Sequence, residues 1–156
     1  MESSEMPERN ATFRTFGGED LLIADYHWWS VQARPRQATL GAMVLLAHGP
    51  AQAFGALADG AHGELARITR DVETVARDLG CQRINYLMLM MVDPHVHFHV
   101  LPRYDHDVTF ADLAFADPGW PGPPDLGHAP EAADAATRVC AALRAAWPAG
   151  ARVPGR

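Results

Sequence analysis

A chain of 156 residues has the length of one domain, and 48% hydrophobic with 21% charged residues suffices for a core, which excludes a multidomain machine and a disordered chain. The 19 acidic against 13 basic residues give a formal charge of −6, so the dense basic surface that binds polymeric nucleic acid is missing. Every basic residue is Arg, as a GC-rich genome would write it, and without Lys no Schiff-base chemistry is open to the chain.

Residues 1–14 lack periodicity and are expected to form a flexible N-terminus. They carry no basic n-region followed by an apolar h-region, and no stretch approaches the ~20 apolar residues of a membrane span, so neither export nor a membrane partner is expected. Two strands follow, Asp20 to Asp25 and His27 to Gln32, rich in β-branched and aromatic residues. Trp28 and Trp29 then point to opposite sheet faces, one into the core and the other free to line a base-binding cleft. Pro35 makes Arg34 to Gln37 a loop whose Arg34 and Arg36 are placed to meet an anion or to sit in solvent. The unbroken apolar run Gly41 to Ala47 predicts a central strand buried on both faces. From Asp59 to Leu79, apolar residues at spacings of three and four predict an amphipathic helix stopped by Gly80.

Arg83 to Val92 and His95 to Leu101 read as two strands pairing as a hairpin with Asp93-Pro94 at the turn. The Met88, Met90 and Met91 group between them suits an adaptable core or a dimer interface. Beyond Tyr104, Phe110, Leu113 and Phe115 can cover an apolar surface, a Pro-rich run spans Pro118 to Pro124, and Glu131 to Trp147 is an Ala-rich helix. The division is residues 1–14 as a tail, 15–104 as the domain and 105–156 as an extension packed on it; strands, helix, strands, helix argues an α+β fold with an antiparallel sheet. Cys81 and Cys140 form no C-x-x-C pair, so a reduced, cytoplasmic setting is expected.

The chemistry concentrates in His95-Val96-His97-Phe98-His99. In a strand, His95, His97 and His99 share one face while Val96, Phe98 and Val100 share the other. Core packing does not explain three imidazoles on one face, because each buried ring needs partners for both nitrogens. Two chemistries fit: three ligands to Zn²⁺ or another divalent metal, or a nucleophilic His whose neighbours donate to phosphoryl oxygens. Spacing does not decide between them, although side chains fanned along a straight strand favour phosphoryl work. His27, His48, His62, His106 and His128 are expected to be exposed or locally bonded.

His-x-His-x-His followed by two apolar residues, with Leu101-Pro102-Arg103 after it and Ile84-Asn85-Tyr86-Leu87 before it, resembles the histidine triad (HIT) superfamily over about Asp20 to Tyr104. The resemblance implies a five-stranded antiparallel sheet with one long helix and a C-terminal helix, a homodimer joining two sheets, and nucleotide hydrolase or nucleotidyl transferase activity through a nucleotidyl-histidine. It further implies that His97 is the nucleophile, with His99 and His95 on the phosphate and leaving-group sides. Asn85, one residue off a family Asn, joins Gln32, Trp28 and Arg103 as candidates for nucleotide binding. No metal is implied, and Mg²⁺ enters only with a polyphosphate substrate. The chain departs from the family where Met90, Met91 and Val92 replace polar residues before the triad and where Gly41-Ala42 replaces Gly-His, which removes hydrogen bonds on the phosphate side. The expected function is hydrolysis of a nucleoside, most simply adenylyl, phosphate ester, anhydride or phosphoramidate. The rivals are nucleotidyl transfer, nucleotide binding without turnover, and a His-ligated metal protein.

Overall fold

The computed structural model describes residues 6–156. Its regular elements are α1 (Ala11–Thr15), β1 (Leu22–Asp25), β2 (Trp29–Ala33), β3 (Met43–Ala47), α2 (Asp59–Asp78), β4 (Arg83–Leu87), β5 (His97–Arg103), β6 (Val108–Phe110), β7 (Leu113–Phe115) and α3 (Ala135–Ala146). Five strands form one antiparallel sheet in the order β1-β2-β3-β5-β4, and β6 and β7 form a separate hairpin. The α+β architecture and the five-stranded sheet are as expected.

Alternation along the strands divides the sheet into two buried faces. Trp29, Val31, Met43, Leu45 and Val100 lie in the main core with Ile68, Val72 and Val75 of α2 and Val139, Cys140 and Leu143 of α3. On the opposite face Val44 and Leu46 pack against Phe13, Phe16 and Leu22. All five residues of β3 are buried, as the unbroken apolar run requires of a strand covered on both sides. Gly41, at φ +82°, turns the chain into β3 where a Cβ would strike the Leu79 side chain. Gly80, at φ +95°, ends the last turn of α2 by returning its N–H to the Arg77 carbonyl at 2.9 Å.

Three expectations change. First, residues 6–14 are not a free tail; residues 1–5 lie outside the described residues. The Arg9 guanidinium grips the Asp25 carboxylate at 2.6 and 3.2 Å, and the Asn10 amide donates to the Ala47 and Gly49 carbonyls at 2.9 and 2.8 Å. This clamp lays α1 across the sheet. Second, β4 ends at Leu87 and β5 begins at His97, so residues 88–96 form a loop rather than a tight hairpin. Pro94 has no N–H to give a ladder, and Met90 sits at φ +43°. Third, where no element was expected, Val108 to Phe115 is a hairpin, with Ala111 and Asp112 both at positive φ as a two-residue loop demands, and it packs Phe110, Leu113 and Phe115 on the core as expected.

The far end of β5 anchors the Pro-rich segment. Arg103, 3% exposed, donates to both Asp117 carboxylate oxygens at 2.7 and 3.0 Å, to the Asn85 side-chain oxygen at 2.7 Å and to the Gly122 carbonyl at 2.9 Å. Replacing Arg103 with Met strands a buried carboxylate, so Arg103→Met is expected to cost about 3–5 kcal/mol in urea unfolding. A loss below ~1 kcal/mol would show that this network does not hold the segment.

Candidate active site

The site is built where β5 begins. The His97 ring, 2% exposed, places Nδ1 2.7 Å from the backbone carbonyl of His95. A carbonyl only accepts, so Nδ1 carries the proton and Nε2 keeps the lone pair. His99, next along the same face, has Nδ1 3.2 Å from Arg34 Nε. A guanidinium only donates, so here Nδ1 is the acceptor and the neutral ring carries its proton on Nε2. The two rings stand edge to face at 5.0 Å, and Phe16 closes over both at 5.4 and 5.7 Å. A lone pair and an N–H donor therefore sit side by side on a water-poor sheet face, an arrangement suited to attacking an electrophilic centre while holding one of its oxygens.

His95 precedes the strand instead of extending the row; its Nδ1 meets Thr12 Oγ1 of α1 at 2.8 Å. Among the described residues, no three His, Cys, Asp or Glu side chains are grouped to hold a metal ion. The chemistry that fits is nucleophile plus donor.

The expected nucleotide contacts do not gather at the imidazoles. Gln32 shares their face but donates to the Phe13 and Gly18 carbonyls at 2.9 and 3.2 Å, which fixes α1 in place. Asn85 lies opposite Leu101, two residues past His99, and its side-chain oxygen is taken by Arg103. Arg103 in turn is committed to Asp117 and Gly122. Both are structural ties in this geometry, because a buried guanidinium is stable only with its donors met. Trp28 lies at the N-terminal end of α2, its backbone N–H donating to Glu64 at 2.7 Å. There it lines an apolar cleft of about 340 Å³ with Pro7, His48, Pro50 and Leu57, while Trp29 is wholly buried. His48 is also buried, beside Asp25 rather than in solvent. Met88 packs on the core, whereas Met91 and Val92 are 85% and 91% exposed in the loop that leads to His95.

Sequence reasoning missed Thr12, Phe16 and the true partner of Arg34. Thr12 falls in a segment without periodicity and Phe16 just after it, and the roles of both depend on long-range packing. Arg34 was legible as a cation in a loop, but its partner is an imidazole nitrogen; it and Arg36 also hold the Leu126 and Gly127 carbonyls at 3.1 and 2.9 Å.

Burial, then the charge of Arg34 and then His97, lower the His99 pKa from 6.5 to about 4. Between those values the unfolded chain binds a proton that the folded chain refuses, so stability is full above pH 6.5 and falls as pH drops toward 4. The expected loss is on the order of 2 kcal/mol. Asp25, held below 3.8 by His48 and Arg9 against the opposing effect of burial, gives up its own contribution only at lower pH. Urea midpoints at pH 7 and 4.5 should converge in His99→Asn relative to the parent; an unchanged pH dependence would place the titrating group elsewhere.

No protein-family model matches the sequence, and no curated protein is similar to it in sequence. Solved structures are similar to it in fold. A histidine triad protein from Bradyrhizobium japonicum superposes with a TM-score of 0.66 at 17% identity, over 90% of this chain and 97% of that one. A histidine triad (HIT) protein from Sinorhizobium meliloti 1021 gives 0.64 at 19% identity, over 86% and 92%. A hypothetical histidine triad nucleotide-binding protein from Sulfolobus tokodaii gives 0.57 at 11% identity, over 80% and 81%. The fold of this chain is that of the histidine triad proteins.

Proposed function

We propose that this chain is a histidine triad nucleotide hydrolase that cleaves adenylyl compounds through a covalent nucleotidyl intermediate on His97. The observation that carries the reading is the pair of opposite ring states, a free lone pair at His97 Nε2 beside an N–H donor at His99 Nε2. In the first step His97 Nε2 forms a bond to the α-phosphorus as the bond from phosphorus to the leaving atom breaks, nitrogen in a phosphoramidate and oxygen in an ester or anhydride. The electron pair departs with that atom, and an amine leaving group takes its proton from solvent on the side of His95. As the imidazole gains positive charge, its Nδ1–H bond to the His95 carbonyl strengthens. His99 Nε2–H meets the charge that builds on a phosphoryl oxygen. Water then attacks phosphorus, the bond from phosphorus to nitrogen breaks, and the nucleotide leaves with His97 restored.

The small-molecule partner in this reading is a nucleotide, as for the Sulfolobus tokodaii protein's description. Mg²⁺ travels with a polyphosphate substrate and is not a resident cofactor. No helix is long and apolar enough to cross a membrane among the described residues. We also propose a homodimer. Edge strand β1 is bridged by Arg152 at Asp25, while β4 forms the other edge of the sheet with no strand beyond it among the described residues. An uncovered edge invites a second copy, and light scattering is expected to give twice the chain mass of 17.0 kDa. The chain mass itself at micromolar concentration would contradict this.

The leaving group is small or apolar. Leu89, Met91 and Val92 are exposed in the loop before His95, where they offer a long anionic leaving group no donors. Each phosphate oxygen left unpartnered after desolvation costs roughly 1–3 kcal/mol. The kcat/KM for an adenosine phosphoramidate or a short acyl adenylate is therefore expected to exceed that for diadenosine tetraphosphate by about tenfold or more. Equal turnover of the tetraphosphate would overturn the assignment of that loop. With a fluorogenic adenylate, His97→Ala is expected to lose all but a few per cent of kcat while still binding AMP. Substantial residual turnover would remove His97 from the role of nucleophile.

A further inference from the structure

Arg34 follows β2 and points its guanidinium across the loop toward β5. Its Nε–H donates to His99 Nδ1 at 3.2 Å, and its Nη1 donates to the Arg36 and Leu126 carbonyls at 2.8 and 3.1 Å. The guanidinium is thus fixed at both ends, on a backbone loop at one side and on a site imidazole at the other. The remaining neighbours of His99 offer little competition. Phe16 comes from the residue that follows α1, Val44 from β3 and Leu87 from β4, and the other titratable group is His97 on its own strand.

We propose that Arg34 is a positioning residue that locks His99 into the Nε2–H tautomer and so makes it an obligate hydrogen-bond donor to the phosphoryl group. A neutral imidazole otherwise exchanges its proton between two nitrogens, and part of its population would present a lone pair to an anionic oxygen. A guanidinium cannot accept a hydrogen bond, so the wrong tautomer would set N–H against N–H in a buried place. The positive charge of Arg34 also disfavours a second proton on the ring, in line with the lowered pKa. Because Arg34 and Arg36 both grip the Leu126–Gly127 backbone, the tautomer lock is tied to the segment after the Pro-rich run. That segment gains a part in the chemistry without contacting the substrate. The catalytic consequence rests on the hydrolase reading above; the tautomer itself does not.

The test is ¹⁵N NMR of the histidine side chains in the full chain. In the parent at pH 7, His99 is expected to show a bare Nδ1 and a protonated Nε2, and to remain neutral well below pH 6.5. In Arg34→Met the titration midpoint should rise and the tautomers should mix, and kcat should fall on the order of tenfold with KM little changed. Arg34→Lys, which keeps the charge and one donor, should recover part of each effect. A parent His99 protonated at Nδ1 would overturn the proposal without any variant. So would a folded Arg34→Met whose His99 spectrum and midpoint match the parent. Should the parent turn over no adenylate, the hydrolase reading fails while the same spectra still decide the role of Arg34.

Discussion

The site depends on burying imidazoles on a sheet face. A buried ring must find a partner of defined polarity for at least one nitrogen, and the identity of that partner dictates where the proton sits. At His97 the partner is a carbonyl and at His99 it is a guanidinium, so two chemically identical side chains two residues apart acquire opposite states. Burial itself comes from the N-terminal segment. Phe13 and Phe16 cover the imidazole face only because Arg9, Asn10 and Gln32 fasten that segment to β1, to the end of β3 and to the sheet beneath it. Removing the clamp would hydrate both rings and release the constraint on their protons.

Arginine does much of the fastening elsewhere as well. The chain has no Lys, and its guanidinium forks recur wherever irregular backbone must be held. Arg34 and Arg36 hold Leu126 and Gly127, Arg103 holds Asp117 and Gly122, and Arg144 holds the Leu22 and Glu19 carbonyls. A planar fork with several donors meets two or three acceptors at once, where an ammonium group offers a point charge on a flexible stem. The structure uses the geometry that Arg brings with it.

Elements whose signal is local could be read from sequence. The α2 stripe, the run into β3 and the alternation that separates His97 and His99 from Phe98 and Val100 each follow from periodicity over a few residues. The loop between β4 and β5 was misread because Met88 to Val92 is apolar enough for a strand, while Pro94 and the positive φ of Met90 end the ladder early. The side chains of Asn85, Gln32 and Arg103, read from sequence as nucleotide contacts, are engaged within the fold and do not meet at the imidazoles. Each side chain has a partner 14 or more residues away, Asn85 in Arg103, the Gln32 amide N–H in Gly18 and Arg103 in Asp117, and sequence spacing carries no record of such ties. The same reason hid Thr12, Phe16 and the bond from Arg34 to His99. Chemistry confined to His95–His99 was legible; the shell that sets its proton states was not.

The central claim is that His97 Nε2 forms a covalent bond to phosphorus. Rapid acid-free quenching of the chain with an adenylate substrate, followed by peptide mass spectrometry, tests it most directly. The account predicts a transient nucleotidyl adduct on His97 that forms and decays at rates sufficient for turnover and is absent from His97→Ala. Turnover without any such adduct on a histidine, or an adduct carried by His99 or His95 in its place, would contradict it.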